Sequence, residues 1–473
     1  MLNQIGHNWW DYFFLVYGIA LFMWYFSFIL LAILAIRKNK KRVGFLNVKD
    51  IKKAIDLPSI SLIAPAYNEG KTIVTNVRSL LSIQYPYYEL IIVNDGSKDD
   101  SLQQLIDDFE LSTVPLYKGN ENIDCKEVVG IYKSQNPKYS NLTVIDKVNG
   151  GRADAINTGI SYAKTKLILC TDADCIIEQD ALLKMVRPYL EQLDKEVIAC
   201  GGAIGIANDS KIKNGTLSEL RLPKSIIARI QVVEYIRSFL LGRMAWTQID
   251  GLLLVSGAFG LYPTKRVLEV GGLDKNTVGE DLELCIRLRA HMERQKIPYD
   301  VVYIPETLCW TEAPSTAKIY AVQRDRWARG LWETMKKHRY LFFNPKYRSM
   351  GLVFFPYWIF FELCAPIVEF LGLIILVIYI SLGWINLPFA IYLFIAVYLI
   401  GCIFSTISIL LYTISFRHYA KPKILIQLLI AAYVEPFINH PIMVFAEIKG
   451  YFKKIFKIKS SWGNMTRKGF TSK

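Results

Sequence analysis

Tyr12–Ile36 is a run of 25 positions without a charged residue. A helix of about 20 apolar residues crosses the hydrocarbon core of a bilayer, so this run is long enough to span it. It does not read as a cleavable leader: no Lys or Arg precedes it, it is too long, and no small-residue cleavage site follows. Arg37-Lys38-Asn39-Lys40-Lys41-Arg42 follows at once. Positive charge on that flank predicts an external segment 1–10, a transmembrane helix 11–36 and a basic cytosolic linker 37–57.

A second uncharged run, Phe370–Phe416, is too long for one crossing and is interrupted at Gly383–Pro388. It predicts a transmembrane hairpin over 348–416 that begins near Trp358 and carries Glu362 and Glu369. Carboxylates at membrane depth are costly, so they would face a bundle interior or a wet pore; a later helix start would leave both at the headgroups. A third apolar stretch, Ile424–Ala446, contains Glu435-Pro436 and His440-Pro441. A full crossing there would export a tail, Lys449–Lys473, that has eight Lys/Arg and no acid. The expectation is a broken, re-entrant or interfacial segment over 417–448, three crossings in all (four being the alternative), and a basic cytosolic tail 449–473.

Composition agrees with a membrane protein. The chain is 52% hydrophobic and 21% charged, against about 25% charged in soluble domains. The net charge of +14 admits nucleic acid, anionic lipid or a phosphorylated substrate as partner. The eight cysteines form no C-x-x-C and have no His at ligand spacing, which argues against a zinc site or a disulfide framework.

Between about 58 and 345 short apolar strands alternate with amphipathic helices. Ile60–Ala64, Leu90–Val93, Thr143–Ile145 and Leu167–Cys170 read as buried strands, each followed by a polar turn and a helix. That pattern predicts an α/β, Rossmann-like fold with a mainly parallel sheet, over 58–314. Ligands in such folds sit at the carboxyl ends of the strands.

Polar residues gather at those ends. Pro65-Ala66-Tyr67-Asn68-Glu69 follows the first strand and Asn94-Asp95-Gly96-Ser97-Lys98-Asp99 the second. Asp146-Lys147 and Gly150-Gly151-Arg152 follow the third, and Asp172-Ala173-Asp174 the fourth. Alternate carboxylates of an extended turn point to one side, so Asp172 and Asp174 suit a hard cation. Gly150-Gly151-Arg152 opens a helix whose amides and guanidinium suit a phosphate, and it is neither a P-loop nor a dinucleotide fingerprint. Gly279-Glu280-Asp281 puts a carboxylate at another helix start, where Asp281 could serve as a base or simply as a cap. Gln323-Arg324-Asp325-Arg326-Trp327 sits on a helix, with Gln323 and Trp327 on one face. This helix, within 315–347, continues basic and aromatic, as suits a helix lying at the inner leaflet.

These stations, in this order, resemble membrane-embedded processive family 2 glycosyltransferases, most of all bacterial poly-β-1,6-N-acetylglucosamine synthases and also cellulose, chitin and hyaluronan synthases. The resemblance implies a GT-A fold with N- and C-terminal transmembrane helices, a UDP-sugar donor, and Mg²⁺ or Mn²⁺ on Asp172 and Asp174. It implies donor contacts from Tyr67, Glu69, Asp95, Lys147, Arg152 and Asp172, a base at Asp281, and an acceptor site at Gln323, Arg324, Arg326 and Trp327, lined by Ser256–Gly260. The partners it implies are a glycan acceptor and an anionic bilayer, with room for small membrane or export subunits and no nucleic acid. The location it implies is the cytoplasmic membrane, multi-pass, with the catalytic domain cytosolic. Two departures stand out: an extra segment over about 111–141, and the interrupted third apolar stretch. A non-processive transferase acting on a lipid, or a pore with a nucleotide-sensing domain, are the competing readings.

Overall fold

The structure, a computed structural model, describes residues 9–45, 56–191, 194–213 and 215–458. The expected external segment 1–10 and basic tail 449–473 therefore lie largely outside the described residues.

Helix α1 (Trp9–Phe45) runs through the basic flank instead of stopping at Ile36, because Lys and Arg are good helix formers. The body then alternates β1 (Ile60–Ala66), α2 (Ile73–Leu81), β2 (Tyr88–Asn94), α3 (Ser101–Asp108), β3 (Leu111–Val114), β4 (Val128–Ser134) and β5 (Leu142–Lys147). It continues with α4 (Arg152–Tyr162), β6 (Leu167–Thr171), β7 (Ile176–Ile177), α5 (Ala181–Leu190), β8 (Glu196–Ile206) and the small hairpin β9 (Lys211–Lys213) and β10 (Thr216–Glu219). Next come α6 (Ile226–Ile236), α7 (Arg243–Gln248), β11 (Phe259–Pro263), α8 (Thr264–Glu269), α9 (Glu280–Gln295), β12 (Tyr299–Thr311) and α10 (Ala317–Lys337).

Among the described residues, ten strands form one sheet in the order β3-β4-β5-β2-β1-β6-β11-β8-β12-β7. The four strands anticipated from apolar runs are mutually parallel neighbours, β5-β2-β1-β6. Ile60, Leu62, Ile63 and Ala64 of β1 are fully buried, and each large aliphatic side chain so buried contributes about 1.5–3 kcal/mol.

The expectation of a mainly parallel sheet is overturned. Antiparallel ladders outnumber parallel ones, because β11 lies antiparallel to both β6 and β8, β7 pairs antiparallel with β12, and the β3–β4 excursion pairs antiparallel within itself and with β5. The extra 111–141 segment is that excursion, and it extends the sheet at one edge. Apolar runs report burial but not strand direction, which is set by connections such as the one that returns β11 into the sheet beside β6.

Among the described residues, four helices are long and apolar enough to cross a membrane: Tyr12–Asn39, Met350–Ser381, Ala390–Phe416 and Pro422–Ile455. The chain is a multi-pass membrane protein. α11 (Ala365–Ser381) and α12 (Leu387–Phe416) are separated at Gly383, whose φ of +68° favours glycine. α13 (Pro422–Ile455) is one helix with Pro436 and Pro441 inside it, so the expected break at the prolines is absent. Contacts hold the helix around them. Glu435 pairs with Arg237 at 2.6 Å, Asn439 donates to the Ile227 carbonyl at 3.4 Å, and His440 meets Glu369 at 2.8 Å. Tertiary packing here overrides the cost of a helical proline. Both ends of α13 return to the sheet domain. Just before it, His418 packs on Trp310 with ring centroids 5.5 Å apart; at its end, Lys453 pairs with Asp325 at 2.6 Å and Lys454 with Glu333 at 2.5 Å.

Candidate active site

The loops after β1 and β2 are fastened together. Asn68, at φ +55°, accepts from Lys98 N at 2.8 Å, and Gly70 N donates to Asp99 at 3.0 Å. Burial alone would raise Asp99, but its hydrogen bonds from Ser101 and Gly70 win and hold it below the usual carboxylate range. Tyr67 is left with an exposed ring, while the Glu69 backbone and side chain are tied to Ser101 and Thr72.

Asp95 is buried, and its carboxylate accepts from Lys147 Nζ (2.8 Å), Gly150 N (2.9 Å), Gly151 N (2.8 Å) and Asn149 Nδ2 (3.2 Å). A carboxylate has about four acceptor sites, so all are filled by the turn after β5. Gly96 permits this approach: a Cβ there would meet Asn149 N at 2.9 Å. Lys147 is wholly enclosed and also donates to Asp154 (2.6 Å) and to the Val148 carbonyl (2.6 Å). Its three donors are spent. Lys147, expected against the donor, thus lies beneath the turn, and it does so because two buried carboxylates require its charge.

Arg152, at the start of α4, joins three parts of the chain. Nε and Nη2 reach Asp172 at 2.8 and 2.7 Å, Nη1 reaches Glu280 at 2.5 Å, and Nη2 also donates to the Gly257 carbonyl at 2.9 Å. Burial pulls this guanidinium down, but Asp172 and Glu280 overcome it and raise it above its ordinary value. Burial pushes Glu280 up, opposed by Arg152. Asp281 accepts from Gly257 N at 2.9 Å and from Leu282 N at 2.8 Å. The Ser256–Gly260 loop and the Gly279–Asp281 station therefore meet at Arg152. Arg326 belongs to the same group: burial lowers its guanidinium, Arg152 acts in the same sense, and Glu280, Asp172 and Asp281 oppose them.

Asp172, Asp174 and Cys175 bring potential ligand atoms within 4.8 Å of one another. Two carboxylates so placed fit a divalent cation that favours oxygen. Cys175 is an unanticipated neighbour, since its type alone reads as a small apolar filler.

Arg324, expected at the acceptor or diphosphate, is buried against Trp327 and Glu234. It pairs with Glu234 of α6 at 2.6 Å and lies 4.6 Å from the Tyr320 ring and 4.4 Å from the Trp327 ring. Burial alone would lower its guanidinium, but Glu234 outweighs that and raises it. It thus orients Trp327, whose ring is 40% exposed. Gln323 is buried beside it. Glu280, Glu234 and Asp154 were missed in the sequence because their partners lie far away along the chain.

The Glycosyl transferase family 2 profile matches residues 61–247 and the Glycosyl transferase family group 2 profile residues 167–417. Poly-beta-1,6-N-acetyl-D-glucosamine synthase from Staphylococcus epidermidis is 27% identical over 310 residues, 64% of this chain and 63% of that protein. The synthase of the same name from Staphylococcus aureus strain COL is 28% identical over 303 residues, 62% of each chain. The chain thus aligns with less than two thirds of the length of these relatives. A mannosyltransferase from Pyrobaculum calidifontis, solved with GDP-Man and Mn²⁺, superposes with a TM-score of 0.51 at 14% identity, covering 93% of this chain and 100% of that one. That similarity concerns the fold, which is GT-A-like. With more than half its length matched, the chain belongs to Glycosyl transferase family group 2 and is a membrane-associated family 2 glycosyltransferase.

Proposed function

We propose that this chain is an inverting β-glycosyltransferase that moves a sugar, N-acetylglucosamine first among candidates, from a UDP-sugar to a growing polysaccharide at the cytosolic face of the membrane. The observation that carries this reading is the meeting of Asp172, Glu280, Asp281 and the Gly257 backbone around Arg152, with Arg326 beside them. The polymer in the name of the similar synthases, poly-beta-1,6-N-acetyl-D-glucosamine, supports the choice of sugar.

Asp281, its oxygens fixed by two backbone amides, would take the proton of the acceptor hydroxyl. That oxygen forms a bond to the anomeric carbon as the bond from this carbon to the β-phosphate oxygen breaks, and UDP leaves with the electron pair. One displacement inverts an α-linked donor to a β product. Arg326 and Arg152 neutralise charge developing on the diphosphate. Asp172 and Asp174 would hold Mg²⁺ or Mn²⁺, which when bound neutralises further diphosphate charge. Tyr67 offers a ring to the base, and Trp327 offers one to the acceptor sugar.

Because the chain touches the cytosolic body just before α13 and at its end, we read this unbroken helix as lying along the cytosolic side of the membrane rather than crossing it. Three crossings result, with anionic lipid beside the domain. The deciding experiment uses the purified full chain with individual UDP-sugars, reading UDP release and product length. Asp281→Asn should keep UDP binding and lose transfer by at least about 100-fold. Near-normal turnover in that variant refutes the assignment, and a single added sugar in place of polymer refutes processive synthesis.

A further inference from the structure

Gly279 leads into the first turn of α9, where Asp281 sits, and it touches α10 directly. A Cβ added at Gly330 would lie 2.8 Å from the Gly279 Cα and N, and one added at Gly279 would lie 2.9 Å from the Gly330 Cα. Gly330 lies three and four residues past Trp327 and Arg326, on the same helical face. This contact sets how far the Asp281 loop stands from that face, but a steric contact has no direction. The directional tie is Glu333, one turn on. Its Oε2 accepts from Val278 N at 3.0 Å, and its Oε1 pairs with Lys454 at 2.5 Å. One further turn on, Lys337 and His338 hold Glu283 of α9 at 2.7 and 3.0 Å. Glu333 is largely buried, so without it the Val278 amide would lose its partner in a half-enclosed place.

We propose that Glu333 is a positioning residue: it holds the Val278–Gly279 turn that leads into Asp281 against the Arg326–Trp327 face, and Lys454, in the last turn of α13, holds Glu333. The seat of α13 on the domain is thereby mechanically linked to the catalytic loop. The proposal rests on the assignment of Asp281 as the base.

The test uses the full chain in nanodiscs, measuring UDP release over a range of donor concentration and UDP binding by calorimetry. Glu333→Ala loses both ties, and its kcat should fall about tenfold or more with donor KM and UDP affinity within about twofold. Glu333→Gln retains an oxygen for the Val278 amide and should keep at least about a third of kcat. Lys454→Ala should resemble Glu333→Gln, and the double variant should be no worse than either, because both remove one ion pair. Unchanged kcat in Glu333→Ala overturns the proposal, as does an equal tenfold loss in Glu333→Gln. Should Glu333→Ala fail to accumulate, Glu333→Gln and Lys454→Ala still decide: a fall in kcat of about two- to threefold in each with donor KM unchanged supports the proposal, and unchanged kcat in both, or a loss of about tenfold in Glu333→Gln, overturns it. Asp281→Asn run in parallel separates the two ideas: turnover there ends the reading of the base, whereas a dead Asp281→Asn beside a normal Glu333→Ala ends only the positioning role.

Discussion

Arg152→Lys is the most informative single change in the site. The guanidinium makes two contacts to Asp172, one to Glu280 and one to the Gly257 carbonyl. A lysine ammonium is a point charge on a different stem and cannot reach three groups that the planar fork spans. Hydrogen bonds to charged groups contribute about 1.5–3 kcal/mol each. If two are lost, about 3–6 kcal/mol goes from the assembled site. At about 1.4 kcal/mol per tenfold, kcat/KM should fall by about 100- to 20,000-fold. Glu280, buried and left without its cation, should rise further and take up a proton, so the remaining activity should move to higher pH. The assay is UDP release by purified protein in nanodiscs, with metal saturating, from pH 5 to 9. Retention of half of wild-type kcat/KM would refute the idea that Arg152 assembles the site.

Trp327→Ala removes the exposed ring, and acceptor KM should rise by about tenfold while donor hydrolysis changes less; chain-length analysis against UDP release checks this, and equal loss of both argues against a sugar platform. EDTA should abolish transfer and Mn²⁺ or Mg²⁺ restore it, with Asp174→Asn needing about tenfold or more metal for half-maximal rate; activity indifferent to chelation contradicts the site at Asp172 and Asp174. Glu283 is held below the usual carboxylate range by His338, Arg287 and Lys337 against the opposing effect of burial, so its stabilising contribution is complete above its unfolded value of about 4.3 and fades as pH drops beneath it. Thermal melts of Glu283→Gln should therefore fall below wild type at pH 7 and converge with it toward pH 3, and parallel curves would contradict that sign.

The four parallel strands and their acidic ends could be read directly, because a buried strand must be apolar throughout and a ligand-bearing turn must be polar. The direction of β11 could not be read. Phe259–Pro263 is a five-residue strand, and nothing local says which way it enters the sheet. The buried partners of Lys147 and Arg324 could not be read for a related reason. Basic residues beside a donor or acceptor motif suggest a ligand, but whether a cation faces solvent or a buried carboxylate depends on Asp154 and Glu234, which no spacing rule connects to them. The prolines of α13 suggested a break for want of knowing that Arg237, Ile227 and Glu369 would grip the helix around them.

The crowded carboxylate at position 95 changes how variants there should be interpreted. Every lone pair on Asp95 is already committed to the 147–151 segment before any nucleotide arrives. An inactive Asp95 variant would thus report the collapse of a preformed cradle, Arg152 included, rather than one missing touch to the donor. Only a readout of loop order, such as amide exchange over 147–152, would tell those two outcomes apart.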